Sequence, residues 1–139
     1  VLHDATRLSL SVRPNDLDAL GHVNNAVVLE YLEAGRRDWL RRIGGEPGGD
    51  AVAVVARIEI DYRAELPYGQ LEVVTELESP TAEEVADEAL TFRALLRQRV
   101  RLPGTREPAA EALVTVAFLD ARQRCPITLQ DYLSAVVAG

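Results

Sequence analysis

One long helical pattern followed almost entirely by strand patterns is what most limits the folds open to this 139-residue chain. From about Asn25, the residues Val28, Leu32, Gly35, Trp39 and Ile43 recur every three or four positions, so they share one face of a helix. Asn24 or Asn25 can cap the start by accepting a hydrogen bond from an unpaired backbone N–H, and Gly44, Gly45 and Pro47 supply the stop. Gly35 in mid-helix costs about 1 kcal/mol against alanine, which marks it as a point where helix and sheet approach closely.

The other segments read as strands. In 7–13, Leu8, Leu10 and Val12 alternate with polar residues. Segment 51–63 starts as an apolar run and then alternates Ile58, Ile60 and Tyr62 against charged neighbours. A turn at 66–69 leads to Leu71, Val73, Thr75 and Leu77, and 80–87 reads as an acidic turn. Strands are expected at 88–101 and 109–121, the second apolar on both faces and therefore central or covered. The tail 129–137 reads as a short helix. A single substantial helix cannot cover both faces of a parallel sheet, so the economical architecture is α+β, an antiparallel five-stranded sheet wrapped round one long central helix. No repeat or linker interrupts residues 1–139, which predicts one domain.

Charge narrows the function. A net charge of −7 opposes nucleic-acid binding, which depends on an excess of cations. All 15 basic residues are arginine, and a few local ones still suffice for a phosphorylated small molecule. The lone Cys125 cannot form an internal disulfide and the start lacks a basic-then-apolar signal, so a cytoplasmic location is expected. No apolar run approaches the roughly 20 residues of a membrane helix, so no membrane partner is expected. His3, His22 and Cys125 lack the spacing of a zinc site, and no metal is expected.

The chemistry concentrates in 13–25, Arg-Pro-Asn-Asp-Leu-Asp-Ala-Leu-Gly-His-Val-Asn-Asn. Asp18 precedes a helix N-terminus, where unpaired N–H groups and the helix dipole present positive partial charge. Such an end can hold a polarised carbonyl oxygen, and a nearby carboxylate supplies a nucleophile or a base for water. Gly21 allows the turn to bring substrate against the backbone. Asp and Asn before a helix are also ordinary capping and turn residues; Asp16 in particular reads as a loop-fixing residue.

The run Asp16-Leu17-Asp18 with Gly21-His22-Val23-Asn24-Asn25 resembles the signature of the 4-hydroxybenzoyl-CoA thioesterase-like branch of the hot-dog superfamily. It is also similar to the Asp-Leu-Asp and His-Val-Asn-Asn stretch of acyl-carrier-protein thioesterases. Segment 62–69 resembles the family's strand and turn after the helix. The resemblance implies the hot-dog fold and hydrolysis of an acyl-CoA or acyl-carrier-protein thioester. Coenzyme A or phosphopantetheine would belong to the substrate, with no separate cofactor.

It also implies roles by position. Asp18 falls on the nucleophile or general base, the Asn25 backbone N–H on the carbonyl-polarising donor, and His22 on the histidine of the carrier-protein enzymes. Gly21, Val23 and Asn24 fall on the substrate-binding turn, and Glu33 and Arg36 on helix positions read as structural. Leu20 stands where the carrier-protein enzymes have Asn, and Val28 where many relatives have Tyr.

Arg97, Arg99 and Arg101 form a basic stripe that could meet coenzyme A phosphates or simply face water. Glu33 is spaced to pair with Arg36 or Arg37, Trp39 reads as core or interface, and Cys125 as inert. A monomer would leave an open sheet edge and half a cleft, so a homodimer or homotetramer is expected. Two rival functions remain: a non-catalytic acyl-thioester-binding module, and a hot-dog hydratase or dehydratase, whose Asp, Asn-Pro and His pattern is missing from the sequence.

Overall fold

In a computed structural model, which describes residues 2–44, 49–87 and 90–138, the chain forms the antiparallel α+β hot-dog fold. The long helix α1 spans Asn25–Gly44. The sheet comprises β1 (Thr6–Ser11), β2 (Ala51–Tyr62), β3 (Gln70–Ser79), β4 (Arg93–Arg101), β5 (Ala110–Asp120) and β6 (Cys125–Ile127). Five of these form the path β1-β3-β4-β5-β2. The sixth, not anticipated, pairs Phe118 with Ile127 on the side of β5 that β4 leaves after the Arg93–Ala117 rung.

Two expectations need correction. The acidic turn at 80–87 contains a helix, α2 (Ala82–Ala86): the Thr81 hydroxyl accepts from the Glu84 N–H, and the Glu84 carboxylate reaches back to the Thr81 N–H. The strand expected at 88–101 begins only at Arg93, because Leu90, Thr91 and Phe92 are still part of the connection. Residues 88 and 89, like the proposed helix stop at Gly45 and Pro47, lie outside the described residues. The terminal helix α3 spans Leu129–Ala138.

Alternation determines what each strand buries. Ala110, Ala112, Val114, Val116 and Phe118 of β5 point inward, as do Ala94, Leu96, Gln98 and Val100 of β4. α1 lays Val28, Leu32 and Trp39 on this surface, all at 2% exposure or less. Among the described residues no helix is long and apolar enough to cross a membrane.

The seat of α1 is Gly35. A Cβ built there would stand 2.5 Å from Val73 Cγ1 and 3.0 Å from both Gln98 Nε2 and Thr75 Oγ1. The close approach lets fully buried Gln98 donate from Nε2 to the Leu32 carbonyl (2.8 Å) and to Thr75 Oγ1 (3.0 Å). Gly35→Ala gains about 1 kcal/mol of helix propensity but overpacks this contact at about 1–3 kcal/mol. A lowered urea midpoint is expected; an unchanged or raised one would show that the seat is looser than this packing implies.

Candidate active site

Two aspartates two residues apart do different work. Asp16, 2% exposed, ends a single 3-10 turn (Pro14–Asp16) and accepts from the Arg13 N–H (2.9 Å), Arg13 Nε (3.1 Å) and the Tyr31 hydroxyl (2.7 Å). The Arg13 Nη2 group pairs with it at 2.9 Å. Burial alone would push its carboxyl up; the hydrogen bonds from Arg13 and Tyr31 outweigh that and hold it below the usual range. Its carbonyl also accepts from the Asn24 N–H at 2.9 Å, joining the loop to the start of α1.

Asp18 is exposed and shapes a tighter turn. Its Oδ1 accepts from the Leu20 N–H (2.9 Å) and the His22 N–H (3.1 Å), while its backbone N–H donates to the His22 carbonyl (2.7 Å). Gly21, at φ +80°, closes the turn with its N–H on the Asp18 carbonyl. Hydrogen bonds from the His22 and Leu20 amides lower the Asp18 pKa. Its second oxygen carries no hydrogen bond among the described residues.

The helix start leaves one donor over. Asn24 Oδ1 caps the Ala26 N–H at 2.8 Å, and the Asn24 carbonyl takes the Val27 and Val28 amides. The Asn25 N–H has no acceptor among the described residues. Asp18, His22, Val23, Asn25 and Val28 line one side of a cavity of about 350 Å³, and Tyr62, Glu65 and Leu66 the other.

Tyr62 and Glu65 were not singled out from sequence as site residues, for they join the loop only through the fold. The Tyr62 hydroxyl donates to the Asn25 carbonyl (2.9 Å), and Glu65 lies 3.1 Å from His22 Nε2. The Val23 N–H donates to the Leu66 carbonyl at 2.9 Å, tying the two walls together.

Gly21 and Asn24 shape this turn and helix start without lining the cavity. Arg97 and Arg99 stand elsewhere, on the outer face of β4. Arg97 bridges Glu78 (2.8 Å) and Glu111 (2.7 Å), and Arg99 pairs with Glu76 (3.0 Å). Glu33 pairs with Arg37 at 3.7 Å, not with Arg36.

The fold and cavity thus define a hot-dog protein with a carboxylate beside a helix N-terminus. The family profile of the thioesterase-like superfamily matches residues 12–137, and the chain belongs to that family; it is a thioester hydrolase. No curated protein matches the sequence.

Similar solved structures include YbaW from Escherichia coli, with 24% identity over 94% of this chain and 95% of that one, TM-score 0.72. The PA5185 protein of Pseudomonas aeruginosa shares 21% identity over 99% and 91%, TM-score 0.79. Slr0204 of Synechocystis, a 1,4-dihydroxy-2-naphthoyl-CoA thioesterase, shares 16% over 97% and 96%, TM-score 0.76. At these identities the likeness establishes the fold.

Asp16→Asn should lower stability at pH 7 by about 2–3 kcal/mol, since it weakens charge-assisted bonds inside a buried cluster. A depressed folded pKa stabilises above the unfolded value near 3.9 and stops doing so as pH falls through the folded one. The gap between wild type and variant should therefore close below about pH 4 in denaturation curves. A gap that persists to pH 2 would place the cause in packing.

Proposed function

We propose that this protein hydrolyses acyl thioesters of coenzyme A or phosphopantetheine in the cavity between Asp18 and Asn25, with Asp18 as the nucleophile. The observation that carries this is that one cavity is lined by Asp18, with a carboxylate oxygen that has no hydrogen bond among the described residues, and by Asn25, whose N–H has no acceptor among them. The Asn25 N–H holds the thioester carbonyl, where its partial charge favours the developing oxyanion. Asp18 attacks the carbonyl carbon, the C–S bond breaks, and the thiolate leaves. Water then opens the acyl-aspartyl anhydride and restores the carboxylate.

The His22 and Leu20 amides hold Asp18 ionised, the form that either route needs, whether the carboxylate attacks the carbonyl or takes a proton from water. A binding module has no need of a carboxylate and an unused amide at one cavity, and the sequence lacks the Asp, Asn-Pro and His pattern of the hot-dog hydratases.

The functional unit we propose is a dimer joined through β2. This strand ends the sheet path, is 12 residues long, and exposes Val54 at 38% and Val55 at 44%. An open strand edge with two exposed valines is a pairing surface, and two antiparallel β2 strands would make the sheet continuous. Sedimentation at micromolar concentration should give a dimer or a tetramer built from it; a stable monomer would contradict this arrangement.

Asp18→Asn should cut thiol release from acyl-CoA by at least about 10²–10⁴-fold, with the fold intact. In wild type, activity should persist on the acid side to below about pH 4, since Asp18 stays ionised beneath the ordinary carboxyl value. Near-normal turnover by the variant would remove Asp18 from the chemistry.

A further inference from the structure

A second cavity, of about 50 Å³, lies further along α1, walled by Val54, Leu96, Val116 and Phe118 and bordered by Arg36 and Trp39. Its lining is apolar except for the donors of Arg36 and Trp39. Trp39 is 2% exposed, and its Nε1–H is buried without a hydrogen-bond partner among the described residues. Half-buried Arg36 gives one bond, from Nη1 to Gln98 Oε1 at 3.1 Å, and no carboxylate lies within ion-pair distance of it among the described residues. Gln98 is itself held by Leu32 and Thr75, so this contact orients the guanidinium.

The position matters as much as the chemistry. Both cavities lie between α1 and the paired strands β2 and β5: the first at the Tyr62–Ala110 rung, the second at the Val55–Val116 rung. Six residues of β5 cover about 20 Å, and the 11 residues from Asn25 to Arg36 cover about 16 Å of helix. Ile58 and Ile60 of β2, half-buried against the core, stand between the two rungs.

We infer that Arg36 and Trp39 form a subsite for a carboxylate at the far end of the acyl chain, so that the preferred substrates are thioesters of long α,ω-dicarboxylic acids. This rests on the thioesterase reading above and extends it to the acyl group. A cation without an anion and an indole N–H without an acceptor, in an apolar recess, are together complementary to one anionic acceptor. The recess fits the head group alone, since one water takes about 10–15 Å³ on the same measure. An extended chain advances about 1.2 Å per bond, so spans of about 16–20 Å call for acyl chains of about 13–16 bonds. Burial also pushes the Arg36 guanidinium pKa down, against the opposing field of Glu33, and an anion beside it would relieve that.

The test compares tetradecanoyl-CoA with the mono-CoA thioester of tetradecanedioic acid by thiol release. A charge-assisted contact predicts a kcat/KM about 10–100-fold higher for the carboxylated substrate, mostly through KM. Arg36→Gln should abolish that preference while leaving tetradecanoyl-CoA within about twofold, and Arg36→Lys should restore part of it. Equal rates for the two substrates in wild type, as a recess holding only water would give, overturn the inference. So does an Arg36→Gln variant that slows both alike.

If neither thioester releases thiol, the inference of long-chain substrates fails at the reaction, and the subsite is judged by binding. Trp39 is the single tryptophan, so its fluorescence reports the recess directly. Tetradecanedioate should change that emission in wild type and not in Arg36→Gln; no change in wild type would rule the subsite out.

Discussion

The candidate site depends on one buried carboxylate, Asp16, that does not line the cavity. Asp16 binds Arg13 on the strand side, Tyr31 in the second turn of α1, and, through its carbonyl, the Asn24 amide at the helix start. These bonds set the loop and the helix in one geometry. With the loop held, Asp18 and His22 face the first turn of α1; with the helix held, the Asn25 amide borders the same cavity. The Val23–Leu66 hydrogen bond adds the opposite wall, so Tyr62 and Glu65 arrive in place without any further device.

The same economy governs the two aspartates. Both carboxyls are held below the usual range, but for unlike reasons: Asp16 by side-chain donors that overcome burial, Asp18 mainly by backbone amides of its own turn. Of the two, only Asp18 keeps an oxygen without a hydrogen bond among the described residues. Midway along α1, Gly35 lets the helix sink far enough onto the sheet for Gln98 to reach Leu32, and Gln98 then orients Arg36. Both ends of the proposed acyl path thus take their geometry from buried polar contacts along one helix.

Much of this was legible in the residues. The three- and four-residue spacing from Val28 to Ile43 marked α1, the alternation at 71–77 marked β3, and the cost of a mid-helix glycine pointed to the close approach at Gly35. Local signals were also missed: Thr81-Ala-Glu-Glu84 is a capping box and heralds α2, but it sits in a run of charge that reads as a turn. β6 is three residues long and contains Pro126, too short for any alternation to show.

The unread part of the site is tertiary. Glu65 lies 43 residues from His22 in sequence, and the carboxylate partners of Arg97 come from β3 and β5. No local pattern announces which distant carboxylate a cation will find. A basic stripe on β4 therefore reads as available charge, whereas the folded sheet pairs Arg97 and Arg99 with glutamates.

The central claim is that the Asn25 amide and the Asp18 carboxylate grip the same carbonyl. A crystal structure of the Asp18→Asn variant soaked with an unhydrolysed acyl-CoA tests this most directly. The account predicts the thioester oxygen at about 2.7–3.2 Å from the Asn25 nitrogen, with residue 18 against the carbonyl carbon. A thioester seated away from the start of α1, or with its carbonyl turned from that amide, would contradict it.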